Sequence, residues 1–223
     1  MDPAHAIDTV ARHFSATPQK GEVLTVRGKR VQIEVRNFDS GASRHAVLAR
    51  AGLRFDRVAL ELVRRVQAAL CDAVPKERKL LFTVSAPIRQ ATKTAAELAL
   101  AMQPWLAHGR SAELKITINE NAIRVRLVKE TGRQAPNVIG FVHNPDSDAG
   151  ALLDIAQAFL ACFGSLSSSR RNIAQAKWLV LVDESGPASI AVYRQIFSAL
   201  PRPIGFEKIF LVRPGAPLED ISD

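Results

Sequence analysis

The last third of the chain alternates short apolar runs with segments of helical spacing, and this alternation limits the fold more than any other feature. Nearly continuous apolar runs at 137–143, 177–183 and 206–212 are typical of strands buried on both faces. Residues 149–165 and 187–199, which separate these runs, space their apolar side chains as helices do. This order favours parallel strands joined by right-handed helical crossovers.

Two hairpins are predicted ahead of that region. Residues 22–36 contain two β-rich runs on either side of Arg27-Gly28-Lys29, where the central glycine suits a tight turn. Residues 113–130 alternate polar and apolar side chains around the turn formers at 119–121. Strict alternation predicts that the second hairpin has one buried face and one face in water.

The remaining segments complete the prediction of an α/β protein. Helices are expected at 3–14, 45–73 and 92–106, and a strand buried on both faces is expected at 79–87. The predicted fold class is α/β, with a mixed sheet that has a parallel β-α-β-α-β C-terminal part and two antiparallel β-hairpins. We assign the whole chain, 1–223, to a single domain; the alternative is a subdivision near 108–111.

The net charge of +8 belongs entirely to the first half of the chain. Residues 1–112 contain 18 Lys and Arg against 10 Asp and Glu, whereas residues 113–223 contain 12 of each kind. A one-sided positive charge attracts nucleic acid or an acidic protein over long range. The alternative is that the charge only keeps the protein in solution.

Arginines recur on one side of the predicted helix at 45–73, and further basic residues lie in the first hairpin. An arginine stripe can follow a phosphate backbone or an acidic protein, and the alternative is the solvated side of an amphipathic helix. The candidate binding residues are Arg44, Arg50, Arg54, Arg57, Arg64, Arg65, Arg27, Lys29 and Arg30. The residues predicted on the opposite, apolar face are Leu48, Phe55, Val58, Leu62, Val66 and Leu70.

Polar side chains follow three of the predicted strands, at the edge where open α/β sheets bind ligands. Carboxylates beside a histidine can hold a divalent metal or act as general acid and base, and arginine can bind a phosphate. The candidate cleft residues are Ser85, Arg89, His143, Asp146, Asp148, Asp183 and Glu184. Helix capping is the alternative explanation for most of the carboxylates, but it does not explain His143 or Asp183, which end their strands.

The tripeptide Glu113-Leu114-Lys115, on the first arm of the second hairpin, resembles the E-x-K string of the PD-(D/E)XK nuclease superfamily. The resemblance implies a glutamate that binds a metal and a lysine that positions the attacking water. That family also carries an aspartate on the preceding strand, whereas the nearest upstream aspartate here is Asp72, beyond an intervening strand and helix. The alternative is a charged pair on the wet face of an alternating strand.

Several functional motifs are absent from this sequence. It contains no G-x-x-x-x-G-K-[ST] phosphate loop, no G-x-G-x-x-G fingerprint, no G-x-S-x-G elbow and no H-E-x-x-H string. No cofactor is evident, and a divalent metal is the one candidate. No apolar stretch is long enough to cross a membrane and no secretory signal is recognisable, while Cys71 and Cys162 are expected to be buried free thiols. We therefore expect a cytoplasmic protein without membrane contact.

Three functions follow from these observations, in order of preference. The first is a non-catalytic interaction module whose basic N-terminal half contacts nucleic acid or an acidic partner. The second is a metal-dependent phosphodiester or phosphate hydrolase that uses carboxylates carried on strands. The third is a small-ligand binding protein or scaffold. Whether the chain is an enzyme, and its oligomeric state, stay open at this point.

Overall fold

A computed structural model describes residues 2–19, 22–39, 53, 56–108, 113–129, 136–166, 176–184 and 188–222. Its helices are α1 (Pro3–His13), α2 (Arg57–Leu70), α3 (Ala91–Ala107), α4 (Ala149–Ser165) and α5 (Ile190–Ala199). Its strands are β1 (Thr17–Pro18), β2 (Val23–Val26), β3 (Lys29–Asn37), β4 (Arg78–Ser85), β5 (Glu113–Ile118), β6 (Asn121–Lys129), β7 (Val138–His143), β8 (Ala176–Val182), β9 (Lys208–Val212) and β10 (Glu219–Asp220).

The strands form two mixed sheets, which confirms the predicted α/β class. One sheet has the order β1-β2-β3-β8-β9-β10 and the other has the order β5-β6-β4-β7. Parallel pairs join β3 to β8, β8 to β9 and β4 to β7, and the remaining pairs are antiparallel. The expectation of one continuous sheet was wrong in this detail, because β7 pairs with β4 while β8 pairs with β3. Hydrophobic periodicity identifies the faces of a strand but not its neighbours.

Both predicted hairpins are present and turn in the same way. Arg27 and Gly28 have φ of 48° and 77°, and Asn119 and Glu120 have φ of 48° and 64°. Two successive residues with positive φ make a type I′ turn, whose twist matches that of the flanking antiparallel strands. Both hairpins therefore close with two-residue loops, and each fixes the register of its own arms.

The helices and sheets stack in five layers. The helix α1 packs on the outer face of the six-stranded sheet, where Val10 shares a cluster with Trp178 of β8. On the outer face of the four-stranded sheet, α2 and α3 pack over Phe82 of β4. Between the two sheets lie α4 and α5, whose side chains share one cluster with residues of both sheets, including Leu81 of β4 and Leu179 of β8.

The central helix α4 is apolar nearly all round because both of its sides are covered. Its N-cap is Asp148, whose carboxylate accepts hydrogen bonds from the backbone N–H groups of Gly150 and Ala151. In its interior, Phe159 is fully buried, with ring centroids 4.7 Å from Phe38 and 5.9 Å from Phe197. Ring pairs at such distances contribute packing energy beyond their buried area.

The two cysteines differ in their surroundings. Cys162 of α4 is buried, as expected, and burial raises the pKa of its thiol to about 12. Cys71 is exposed, so the expectation that it is buried was wrong. The helix α2 ends at Leu70, and the apolar face that Cys71 was expected to join ends with it. In the part of the chain that the structure describes, no helix is long and apolar enough to cross a membrane.

Because α4 joins both sheets in one core, we expect Phe159→Ala to weaken both halves of the molecule together. Truncating a buried phenylalanine costs about 3–5 kcal/mol of unfolding free energy. The chain has two tryptophans, Trp105 on α3 and Trp178 on β8, which lie in the two outer clusters. Two single-tryptophan variants, Trp105→Phe and Trp178→Phe, would be unfolded in urea and followed by fluorescence. Both should give the same unfolding midpoint, and Phe159→Ala should shift that midpoint equally in both.

Leu100→Ala is the control for this measurement, since Leu100 is 66% exposed. Its unfolding free energy should stay within about 0.5 kcal/mol of the parent value. Two separate midpoints, with Phe159→Ala moving only one of them, would show that the sheets do not share a cooperative core.

Candidate functional site

Two of the predicted cleft residues lie side by side at the carboxyl ends of β4 and β7. Ser85 is the register partner of His143, so their side chains emerge on the same face of the four-stranded sheet. Ser85 Oγ lies 3.4 Å from the carbonyl oxygen of Ala86, a long contact. The structure therefore brings a hydroxyl and an imidazole together, as the sequence analysis had anticipated for neighbouring strands.

His143 is a buried imidazole. It is 4% exposed, and its Nδ1 lies 2.7 Å from the carbonyl oxygen of Asn144. Burial is the main reason that the pKa of His143 is lowered, and the nearby Arg124 guanidinium also lowers it, against opposing effects from the hydrogen bond to Asn144 and from the Asp148 charge. The lowered pKa favours the neutral form of the ring.

Arg124 of β6 reaches the first turn of α4 beside His143. Its nitrogens lie 3.6 Å from a Glu113 carboxylate oxygen and 4.0 Å from a carboxylate oxygen of Asp148. A Cβ at Gly150 would come within 2.3 Å of Arg124 Nη1. Because Gly150 has no Cβ, the Arg124 guanidinium can pack against the start of the helix.

The E-x-K tripeptide lies in an ion-pair network that ties the second hairpin to α4. Arg126 donates to Glu113 at 2.8 Å and to Asp154 of α4 at 2.5 Å. The hydrogen bond from Arg126 is the main reason that the pKa of Glu113 is lowered. The Glu113 carboxylate is thus bound by arginines of its own chain. No group of three or more metal-ligating side chains occurs among the described residues.

Asp183 lies in different surroundings, at the end of β8 in the six-stranded sheet. It is fully buried, and the hydroxyl of Tyr193 donates to its carboxylate at 2.5 Å. Burial raises the pKa of Tyr193, and the neighbouring Asp183 charge raises it further. Asp183 and His143 could share a site only if β7 and β8 were neighbours, and these strands belong to different sheets.

The other predicted cleft residues are also dispersed. Arg89 pairs with Glu120 in the turn of the second hairpin, and its backbone is held by the buried Asn121. Asp146 is exposed in the turn after β7, and Asp148 caps α4. Glu184 is exposed after β8. Of the seven predicted residues, the structure gathers Ser85, His143 and Asp148 around the start of α4 and places the others elsewhere.

The arginines of α2 lie on its exposed side. Arg57 is exposed, and the side chains of Arg64 and Arg65 are 79% and 47% exposed. Glu61, on the same side, lies 3.8 Å from Arg64 and 2.8 Å from Arg65. Arg44, Arg50 and Arg54 lie outside the described residues, as do Leu48 and Phe55 of the predicted apolar face.

One residue of the predicted apolar face of α2 is on the wrong side. Leu62, Val66 and Leu70 are buried as expected, but Val58 is 49% exposed. Leu60 is exposed to the same extent. The buried stripe of α2 already includes its first turn, and Val58 and Leu60 lie to either side of that stripe. Two aliphatic side chains therefore stand among the arginines.

The basic residues of the first hairpin form a separate group. Arg27, Lys29 and Arg30 are exposed at the β2–β3 turn, in the six-stranded sheet. The helix α2 packs on the four-stranded sheet, in a different hydrophobic cluster. The continuous basic patch that the sequence suggested is therefore divided between two sheets.

Sequence reasoning missed a groove beside α2. It has a volume of about 430 Å³ and lies between α2, the edge strand β7 and the end of α5. Gln67 of α2 reaches the strand there, donating to the carbonyl oxygen of Val138 at 3.0 Å. No local signal marks this groove, because it depends on which strand ends the sheet.

Comparisons with protein-family models, with curated proteins and with solved structures found no match to this chain. Its function is therefore argued from the sites themselves.

The lowered pKa of His143 makes a prediction about stability. A histidine that folds in its neutral form contributes stability that is complete above its unfolded pKa, about 6.5, and is lost as the pH falls toward its folded pKa. We expect the unfolding free energy in urea to decrease between pH 7 and pH 5.5, and His143→Gln to remove part of that decrease.

His108→Gln, at an exposed position at the end of α3, is the matched control and should keep the parental slope. An NMR titration that places the midpoint of His143 at or above the ordinary histidine value would contradict the burial argument.

Proposed function

We propose that this protein is an interaction module that binds an acidic protein partner through the exposed side of α2. The α2 surface comprises Arg57, Val58, Leu60, Arg64 and Arg65. The observation that carries the proposal is the presence of two half-exposed aliphatic side chains among three exposed arginines. Arginine is enriched in protein interfaces, and exposed apolar groups inside a polar rim are typical of binding sites.

An acidic protein fits the α2 surface better than a nucleic acid does. Glu61 lies within the surface and pairs with both Arg64 and Arg65, so the charge offered to a phosphate backbone is partly cancelled. Nucleic-acid affinity grows with the number of phosphates that are neutralised, and aliphatic groups neutralise none. A partner with both carboxylates and apolar side chains would use every exposed residue of the surface.

The alternative of a metal-dependent hydrolase has less support. Glu113, the residue that would bind a metal, is held by Arg126 and Arg124. A carboxylate with a lowered pKa and two cationic partners would have to release an arginine before it could bind a metal. The pairing instead gives Glu113 a role in holding the second hairpin against α4 through Arg126 and Asp154.

Charge reversal on α2 tests the proposal. Random dodecapeptides displayed on phage would be selected on the protein at low salt, and we expect enriched sequences to combine Asp or Glu with aliphatic residues. Binding of a labelled enriched peptide would be measured by fluorescence anisotropy. The triple variant Arg57→Glu, Arg64→Glu, Arg65→Glu should weaken binding by about tenfold to a hundredfold, because like charges then face each other.

The first hairpin offers a control with the same change in charge. The triple variant Arg27→Glu, Lys29→Glu, Arg30→Glu should leave peptide affinity within about twofold, since these residues belong to the other sheet. A labelled DNA duplex and a labelled single-stranded RNA would be titrated alongside. Tight nucleic-acid binding without any peptide enrichment, or equal losses in the two triple variants, would refute the proposal.

A further inference from the structure

The edge of the four-stranded sheet faces the groove beside α2. We call this the β7 groove: β7 forms its floor, α2 borders it with Leu60, Arg64 and Gln67, and α5 borders it with Ser198 and Ala199. The helices lie on opposite faces of the sheet, since α2 belongs to the outer layer and α5 to the layer between the sheets. The space between them therefore continues the plane of the sheet beyond its last strand.

The backbone groups of alternate residues in β7 point into this space. The carbonyl oxygens of Asn137 and His143 accept hydrogen bonds from β4, so the odd-numbered residues direct their backbone groups toward that strand. The even-numbered residues Val138, Gly140 and Val142 direct theirs outward. The bond from Gln67 to the Val138 carbonyl agrees with this assignment, and no described residue bonds to the N–H of Gly140.

Gly140 is the point at which the strand is most open. It is half-buried while the other residues of β7 are buried. The space that its side chain would fill is taken by the ring of Phe82, which a Cβ at Gly140 would approach to 2.2 Å. The position therefore borders the groove without a side chain of its own, and outward backbone groups at a sheet edge are a template for another strand.

The same edge already pairs with one residue of the chain at its carboxyl end. Leu53 forms an isolated antiparallel bridge with His143. This contact shows that the edge accepts an antiparallel backbone at the distance of a sheet neighbour. Leu53 lines one end of the groove, and the groove continues from there along Val142 and Gly140.

The sides of the groove indicate the chemistry of its occupant. Leu60 offers an aliphatic contact and is 49% exposed. Arg64 has a side chain that is 79% exposed, and its guanidinium lies 3.8 Å from a Glu61 carboxylate oxygen, a surface pair that a partner's carboxylate can replace. An extended segment with an aliphatic and an acidic side chain complements both groups.

We propose that an extended segment of the acidic partner adds to β7 as an antiparallel strand in the β7 groove. This inference rests on the proposed function, because Leu60 and Arg64 belong to both the α2 surface and the groove. Strand addition gives affinity through backbone hydrogen bonds to Gly140, and specificity through alternate side chains.

A scan of backbone N-methyl groups along the enriched peptide tests strand addition. An N-methyl group removes a hydrogen-bond donor, so it should weaken binding by about tenfold or more at every second residue and have little effect at the residues between. A flat scan, or losses at helical spacing, would refute strand addition while leaving the binding surface on α2 intact.

Filling the groove provides a second, independent readout. Ser198→Trp replaces an exposed side chain at the rim and should weaken the peptide by about tenfold or more through steric exclusion. Ala191→Trp, at an exposed position in the first turn of the same helix, is the matched control and should bind normally. If Ser198→Trp binds the peptide as the parent does, the groove is not the site.

The two proposals fail in different ways. If no peptide is enriched, or if the α2 triple variant binds as the parent does, the proposed function fails and strand addition fails with it. If binding depends on the α2 arginines but the N-methyl scan and Ser198→Trp show no effect, only strand addition fails. A small apolar molecule that binds the groove without competing with the peptide would equally overturn strand addition.

Discussion

The structure depends on the packing of α4 and α5 between two sheets. Each sheet buries one face against this shared layer, where Phe159 contacts the rings of Phe38 and Phe197. Without the layer, each sheet would keep only its outer helices and would expose a face rich in leucine and isoleucine. The shared layer also supports both candidate sites. Asp148, near His143, is the N-cap of α4, and the end of α5 borders the β7 groove.

The division into two sheets decides where the chain can bind. Because β7 ends the four-stranded sheet of the described residues, one strand edge lies between α2 and α5, with the outward backbone of Gly140 beside exposed Leu60 and Arg64. The same division separates His143 from Asp183, so the polar ends of β7 and β8 have different surroundings. His143 is buried beside Arg124, whereas Asp183 accepts a hydrogen bond from Tyr193.

Local patterns predicted the parts of the fold that are local in origin. The bounds of α4 coincide with the predicted 149–165, because its apolar run and its capping aspartate are neighbours in sequence. The pairing of β3 with β8 joins residues far apart in the chain, and periodicity contains no signal for it. The groove beside Gly140 likewise depends on which strand ends the four-stranded sheet, so it could not be predicted from the sequence. Whether His143 and Asp183 lie together depends on the same strand order, which the sequence left open and the structure answers by placing them in different sheets.

Amide hydrogen exchange along β7, followed residue by residue by NMR in the protein without any added ligand, tests most directly whether this strand edge is open. Ile139 and Phe141 direct their N–H groups toward β4 and should exchange slowly, whereas the N–H of Gly140 should exchange much faster than both. That result would establish an open strand edge beside α2. Equal protection of all three amides would show that the edge is already covered, and would contradict the claim that a partner strand binds there.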